Sequence, residues 1–387
     1  MDLDPSDEQK MLADTVNGLL EKKYDANMRL SLLTSDDGWS RDLWRQYAEL
    51  GLLGLTFDEQ YGGAGMGVGE LAVVMESFGR ALILEPFLAT VVLGGSLVAA
   101  AGSPEQKAAL LPGVAAGDTL LAFAYTEPGS RWSLTDIATT ATPVGDSWTL
   151  AGEKIAVLGG DAADHLVVTA RTPDGTVGLF LVDAAADGVA RDSYRMQDGL
   201  RGADVLLTDV RATELGSPAD ALAAVEGVID VATAALCAEA VGAMDRMLWL
   251  TVDYLKTRVQ FGQPISVFQS LQHRAADMYV SLEQARSMAL LARLALAEDD
   301  VPGRRRAVRA AKIQIDLAGR HIGQEAIQLH GGIGMTMEYP VGHYLKRTTV
   351  IAKTFADIDR LTELVGAEGG LVPANVADAG ASPVATG

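Results

Sequence analysis

Two short stretches of this chain combine residue types that ligand chemistry needs and that folding alone does not require. The first runs from Arg258 to Gln269, RVQFGQPISVFQ. Gly262 and Pro264 are enough to end one helix and begin another, since glycine takes the left-handed conformation at a helix end and proline forbids continuation. The arginine, the glutamines and the two phenylalanines need another reason. The second stretch is Gln328 to Gly334, QLHGGIG. A Gly-Gly-x-Gly run lets backbone N–H groups approach a phosphate closely, because no Cβ intervenes. Arg258 can add charge-assisted hydrogen bonds to the same phosphate. Phe261 and Phe268 offer aromatic faces to a ring, and Gln269 and Gln328 offer amides to a base or ribose. Taken singly, each stretch is also a helix cap and turn; taken together, they predict a dinucleotide gripped by helix ends. Glu239, in ALCAEAVG, is a further candidate. A carboxylate among Ala, Leu and Cys is desolvated and proton-hungry, as a base can be. Hydrogen-bonded structure is its competing reading, and the favoured one.

The elements that must position these residues fall into three blocks and a tail. Residues 1–119 read as a helical domain. Ser6 opens SDEQ, a helix cap, and helices follow over residues 41–50, 70–81, 86–101 and from Ser103 to about 116. The loop EQYGGAGMGVG follows no strand and carries no Lys-Ser/Thr, so it reads as a wide turn rather than a phosphate loop. Residues 120–218 change to short β-rich runs such as HLVVTAR and VGLFLVD, divided by turn formers. Their regular spacing predicts a compact barrel or sandwich. The loop YTEPGSRWS lies at the end of its first strand, where scaffolded ligand contacts are usual. Residues 219–370 carry four long helical patterns, over 219–258, 267–298, 304–330 and 344–365, which predict an antiparallel bundle. Arg304, Arg305, Arg306 and Arg309 follow Glu298, Asp299 and Asp300 and read as a salt-bridged surface. Residues 371–387 are Ala/Pro/Gly/Val-rich without periodicity and read as a tail.

The totals narrow the function. A net charge of −20 argues against nucleic acid as a partner, though local arginines can still hold an anionic cofactor. The lone cysteine, Cys237, sits in an apolar helical run and reads as a small buried residue in a reducing cytoplasm. The acidic start is no signal peptide. The apolar run 81–101 is broken by Glu85, Pro86, Gly94 and Gly95, which favours buried helices over a membrane span. No G-x-G-x-x-G follows a strand, so a dinucleotide must be held by other means than a Rossmann turn.

These motifs resemble those of the acyl-CoA dehydrogenases over about residues 6–365. R-x-Q-F-G-x-P-I-x-x-F-Q is followed by Ala276-Asp277-Met278, and Q-x-x-G-G-x-G by Glu338-Tyr339-Pro340. Thr126-Glu127-Pro128, the G-D-x-W-x-L-x-G-x-K of Gly145 to Lys154, and Glu59-Gln-Tyr-Gly-Gly63 also match. Within the family the chain looks most similar to pimeloyl-CoA-dehydrogenase-like small subunits, which pair with a larger homologue. The resemblance implies an α+β fold of N-terminal helical domain, middle β-barrel and C-terminal four-helix bundle, usually assembled as a tetramer. It implies FAD, with the ring between the barrel and the bundle, and α,β-desaturation of an acyl-CoA thioester. By resemblance, Thr126 and Ser130 touch flavin or substrate. Arg258, Phe261, Gln269, Gln328, Gly331 and Gly332 reach the pyrophosphate and adenosine end of a neighbour's FAD.

The departures fall on one face. Most members carry a glutamate base in a Tyr-Glu-Gly-Thr turn, where this chain has the shorter KTFADIDR, Lys353 to Arg360. Asp357 is its nearest carboxylate to a substitute. Other members place the base near Ala232, where Asp230 is the neighbouring acid. The segment whose threonine hydroxyl meets the flavin reads Ala156-Val157-Leu158, and the Gly129-Ser130-Arg131 turn is shortened. The expectation is a subunit that keeps an adenosine-side grip on FAD while a homologous larger subunit supplies the base. The alternatives are a self-sufficient homotetramer using Asp357 or Glu239, and a scaffold that has lost flavin. The acyl group stays open among fatty, dicarboxylic and steroid side-chain thioesters.

Overall fold

The computed structural model describes residues 5–368; the tail read at 371–387 lies outside them. The N-terminal helices are α1 (Asp7–Lys23), α2 (Ala26–Leu33), α3 (Arg41–Glu49), α4 (Val68–Ala81), α5 (Ser96–Ala101) and α6 (Pro104–Ala116). Ser6 caps α1 as the sequence predicts, its hydroxyl accepting from Gln9 N–H while the Gln9 side chain returns to the Ser6 N–H. Helix α2 is an element that the sequence reading did not name.

Strands β1 (Leu121–Ala124), β2 (Thr140–Val144), β3 (Ser147–Leu158), β4 (His165–Arg171), β5 (Val177–Asp183), β6 (Val189–Arg195) and β7 (Arg201–Glu214) form the middle domain. Pairing runs β4–β2–β3–β7–β5 and returns to β4, so the sheet closes on itself as a barrel, with β1 flanking β4 and β6 flanking β7. Leu150, Leu166, Val168, Phe180, Val205 and Val210 fill its interior. Strand β6 escapes the sequence reading because almost all of it is exposed or half-exposed, leaving no apolar alternation to see.

The C-terminal bundle is α7 (Pro218–Thr257), α8 (Gln269–Ala295), α9 (Val301–His330) and α10 (Val341–Ile351), followed by α11 (Ile358–Ala367). Helix α7 is the buried spine, packed on α4, α8, α9 and α10. It meets α4 at two glycines. A Cβ on Gly79 would lie 1.9 Å from the Glu239 carbonyl oxygen, and one on Gly242 would lie 1.9 Å from that of Glu76. The two backbones touch there, so neither position tolerates a side chain.

Two predicted helices are interrupted. Residues 86–101 contain a fully buried π-helical stretch, Leu88–Gly95, before α5. The pattern 344–365 breaks between α10 and α11, because Phe355 takes φ 66, which a right-handed helix cannot contain. Asp357 then caps α11 by accepting from Arg360 N–H.

Candidate functional site

RVQFGQPISVFQ folds as more than a helix turn. Arg258 closes α7, and the chain then makes a two-residue hairpin, β8 (Val259–Gln260) against β9 (Gln263–Pro264). Its loop residues, Phe261 and Gly262, have φ 55 and 79. That is the sign pattern of a type I′ turn, which glycine or asparagine usually fills. A phenylalanine held there at 90% exposure gains no burial for the strain it bears. Its ring meets Phe268 edge-on at 5.9 Å, forming an aromatic corner open to a ligand or partner. Gln269, the first residue of α8, and Arg258 are exposed beside it.

The second stretch is brought alongside by stacking. Tyr254, one turn before Arg258, lies 4.5 Å from the His330 ring, which also meets Tyr339 at 4.7 Å. His330 Nδ1–H donates to the Ala326 carbonyl at 2.7 Å, so the ring is fixed and its neighbours Gln328, Gly331 and Gly332 face outward, exposed. Gly331 needs its φ of 65. Gly332 has no positive φ, and a Cβ there would meet nothing within 4 Å. Among the described residues nothing demands glycine at 332, and a glycine there leaves the backbone open to close approach by an outside group. A groove of about 710 Å³ begins at Gly334 and Met335. It runs between α9 and α10, past Arg320 and Lys346, to Lys353 and Asp357. Its volume lies within the ~300–1,000 Å³ of ligand sites. These residues fit the adenosine and pyrophosphate end of a dinucleotide.

The opposite face, around Thr126 and Ser130, is built differently. Lys154 is fully buried in the barrel, with Nζ donating to Glu127 at 2.6 Å and Thr169 at 3.1 Å. Glu127 also accepts the N–H groups of Ala138 and Thr139, which pins the loop after β1. Ser130 is buried, and its hydroxyl both donates to the Glu127 carbonyl and accepts from the Glu127 N–H. It is spent on its own turn and presents no free hydroxyl, contrary to the sequence expectation. Thr126 is half-buried, its carbonyl taken by Ile155 N–H. Two small voids border this face. One of about 110 Å³ is lined by Tyr125, Trp132, Asp230 and Phe355, and one of about 30 Å³ by Leu158, Glu85 and Asp161. Both are narrow beside the ~150 Å³ that accommodates a single benzene ring. The residues present suit FAD better at its adenosine end than at its ring end.

Glu85 makes a separate prediction. It is buried, with one oxygen accepting from Ser40 N–H at 3.2 Å and the other without a hydrogen-bond partner among the described residues. Burial pushes its carboxyl up to about 7. A folded acid that binds its proton more tightly than the unfolded chain loses stability as pH rises from about 4.5 through about 7. Glu85→Gln is therefore expected to stabilise the protein at pH 8 by on the order of 2 kcal/mol and to flatten the pH dependence of the melting temperature in that window. An unchanged profile would refute the assignment.

The candidate bases fare as follows. Glu239 is bound bidentately by Arg347, at 2.5 and 2.7 Å, and Arg347 also donates to Asp198 at 2.7 Å. All three are buried. Burial alone would lower Arg347, but the two carboxylates outweigh it and raise it above the usual arginine value. Arg29 of α2 extends the network, donating to the Asp198 and Leu82 carbonyls and to His343 Nδ1. His343 Nε2–H donates to the Met337 carbonyl, so the ring is neutral with Nδ1 as acceptor. Glu239 is thus the anion of a clasp joining all three domains, which overturns its reading as a base. Asp357 is a helix cap tied to Lys353 at 3.0 Å. The Arg360 N–H, then Lys353 and Arg131, hold it below the usual carboxylate range, which makes it a poor proton acceptor. Of the three candidate bases, Asp230 lines the pocket beside Phe355, as does Glu226. It sits 3.5 Å from Arg305, and that arginine also pairs with Glu226 at 3.0 Å. The basic cluster therefore pairs inward with Glu226, Asp230 and Glu368, rather than with the acids that precede it in sequence.

Three family models match the three blocks of the chain. They are the acyl-CoA dehydrogenase N-terminal domain at residues 6–118, the middle domain at 122–212 and the C-terminal domain at 222–353. Acyl-CoA dehydrogenase FadE12 of Mycobacterium tuberculosis is 34% identical over 321 residues, covering 78% of this chain and 80% of its own. Probable acyl-CoA dehydrogenase YngJ of Bacillus subtilis is 31% identical over 376 residues, covering 93% and 98%. Among solved structures, a variant of the Tcur3481–Tcur3483 steroid ACAD superposes with a TM-score of 0.85 at 34% identity, covering 94% of this chain and 98% of that one. The ChsE4–ChsE5 complex from Mycobacterium tuberculosis gives a TM-score of 0.88 at 26% identity, covering 97% and 100%.

Proposed function

This chain belongs to the acyl-CoA dehydrogenase family, FAD-dependent oxidoreductases acting on CH–CH bonds, and from that premise we propose that it is the non-catalytic half of a heteromeric enzyme. In the family's reaction one hydrogen leaves the thioester as a proton to a carboxylate and the other as a hydride to FAD. Here Arg258, Phe261, Gln269, Gln328, Gly331 and Gly332 hold the adenosine end of a FAD whose ring lies in a homologous, larger partner, and the partner supplies the base. The observation that carries this reading is the pairing of an outward-facing pair of stretches with a narrow ring face: among the described residues nothing requires glycine at 332, while the pocket beside Trp132 is only about 110 Å³. The similarity to the two-component Tcur3481–Tcur3483 and ChsE4–ChsE5 structures supports it, and the first of these makes a steroid side-chain thioester the leading substrate class.

Co-expression with the homologous chain, followed by flavin counting and turnover assay, tests the reading. The expected complex holds one flavin for every two chains and oxidises an acyl-CoA, while this chain alone does not. Turnover by this chain alone, with one flavin per chain, sinks it in favour of a self-sufficient homo-oligomer. A complex that stays colourless and inactive favours a scaffold.

A further inference from the structure

We infer that Trp132 is a plug that keeps planar ring ligands out of this chain's own flavin face; the inference rests on the reading that this face holds no flavin. The indole N–H of Trp132 donates to the Lys353 carbonyl at 3.1 Å. Among the described residues this is the one hydrogen bond joining residues 125–136 of the middle domain to residues 352–357 of the bundle. The loop that presents the indole and the turn that receives it are both held in a conformation that side chains disfavour. Arg131, next to Trp132, has φ 50, and Phe355, two residues beyond Lys353, has φ 66. The seam is thus closed by a single hydrogen bond between two strained segments.

Size argues for what the indole displaces. The half-buried indole lines a pocket of about 110 Å³ together with Tyr125, Phe355, Leu361 and Leu364. By comparison with the ~150 Å³ that takes a benzene, this is room for at most one ring. The indole itself adds the bulk of two rings to that lining. Void and indole together approximate three fused rings, the dimension of an isoalloxazine. The basic side chains on the wall do not refill the space, since Arg305 is held by Glu226 and Arg309 by Glu368. Trp132 thereby determines which chain of an assembly receives the ring.

Riboflavin separates this site from the adenosine grip, because it carries the ring system without the adenosine. The protein, purified in the assembly it forms, is titrated with riboflavin by fluorescence quenching, and its bound FAD is counted after release. Trp132→Ala is expected to bind riboflavin at least about tenfold more tightly than the wild type and to raise the flavin count above one per two chains. Trp132→Phe, which returns one ring's worth of space and keeps an aromatic side chain on the loop, is expected to fall between, and it carries the test should the alanine variant not fold. Riboflavin affinity and flavin count unchanged in both variants, with the wild type at one flavin per two chains, would overturn the plug and leave the heteromeric reading standing. One flavin per chain in the wild type would overturn that reading and the plug with it.

Discussion

Glu239→Gln is expected to destabilise the protein by about 3–5 kcal/mol, the usual cost of removing one partner of a buried ion pair. The reason lies in what remains. Arg347 stays buried with its charge, and Asp198 alone must compensate it while also anchoring the loop that Arg29 grips. The loss should appear as a lower denaturation midpoint, and as separation of unfolding steps, because the clasp ties α2, the 198 loop, α7 and α10 together. Replacing the whole triad, with Glu239→Leu, Arg347→Met and Asp198→Asn, is expected to cost less than Arg347→Met alone, since no buried carboxylate is then left without its cation. The same variant decides the chemistry. Were Glu239 a base, glutamine would cut turnover by ~10²–10⁴-fold with the fold intact. The expected result is the reverse: stability falls, and turnover per folded complex is preserved.

What the sequence revealed and concealed follows from the range of each signal. The three-block architecture was legible because long amphipathic helices and regularly spaced strands are local patterns. The two stretches proposed as the grip stood out because Arg258, the Gly262-Gln-Pro264 corner and Gly331-Gly332 are residue types that a helix turn alone does not require. The hairpin was not legible, since a phenylalanine at positive φ contradicts local preference and is tolerated only in its tertiary setting. The break at Phe355 was hidden for the same reason. Glu239 could be read as desolvated, and it is, but its partner lies 108 residues away on α10. No local rule reaches that far, and Arg347 gave no sign of being buried. Ser130 was misplaced because matching a motif fixes the residue and not the direction of its hydroxyl. Trp132 carried no motif at all, and only the meeting of two shortened loops gives it a role.

Gly332→Ala and Arg258→Ala are expected to strip flavin from the heteromeric complex without weakening the chain that carries them. Arg258 makes no side-chain hydrogen bond among the described residues, so alanine there should leave the melting temperature of this chain unchanged. Its loss removes charge-assisted hydrogen bonds to the pyrophosphate, each worth ~1.5–3 kcal/mol, so FAD affinity should fall by about 10- to 100-fold. Arg258→Lys should recover only part of this, because an ammonium cannot make the paired, planar contact of a guanidinium. Gly332 gives the sharper test. An added Cβ meets nothing within 4 Å and needs no unusual φ, and restricting the unfolded chain by a glycine-to-alanine change stabilises by ~0.4–1 kcal/mol where the conformation allows it. The chain alone should therefore become equally or more stable, while the phosphate loses its close approach to the backbone and FAD dissociates more readily. Opposite signs for stability and flavin retention are what a ligand-facing glycine requires. If both fell together, Gly332 would be part of the turn's own packing and the grip would have to lie elsewhere.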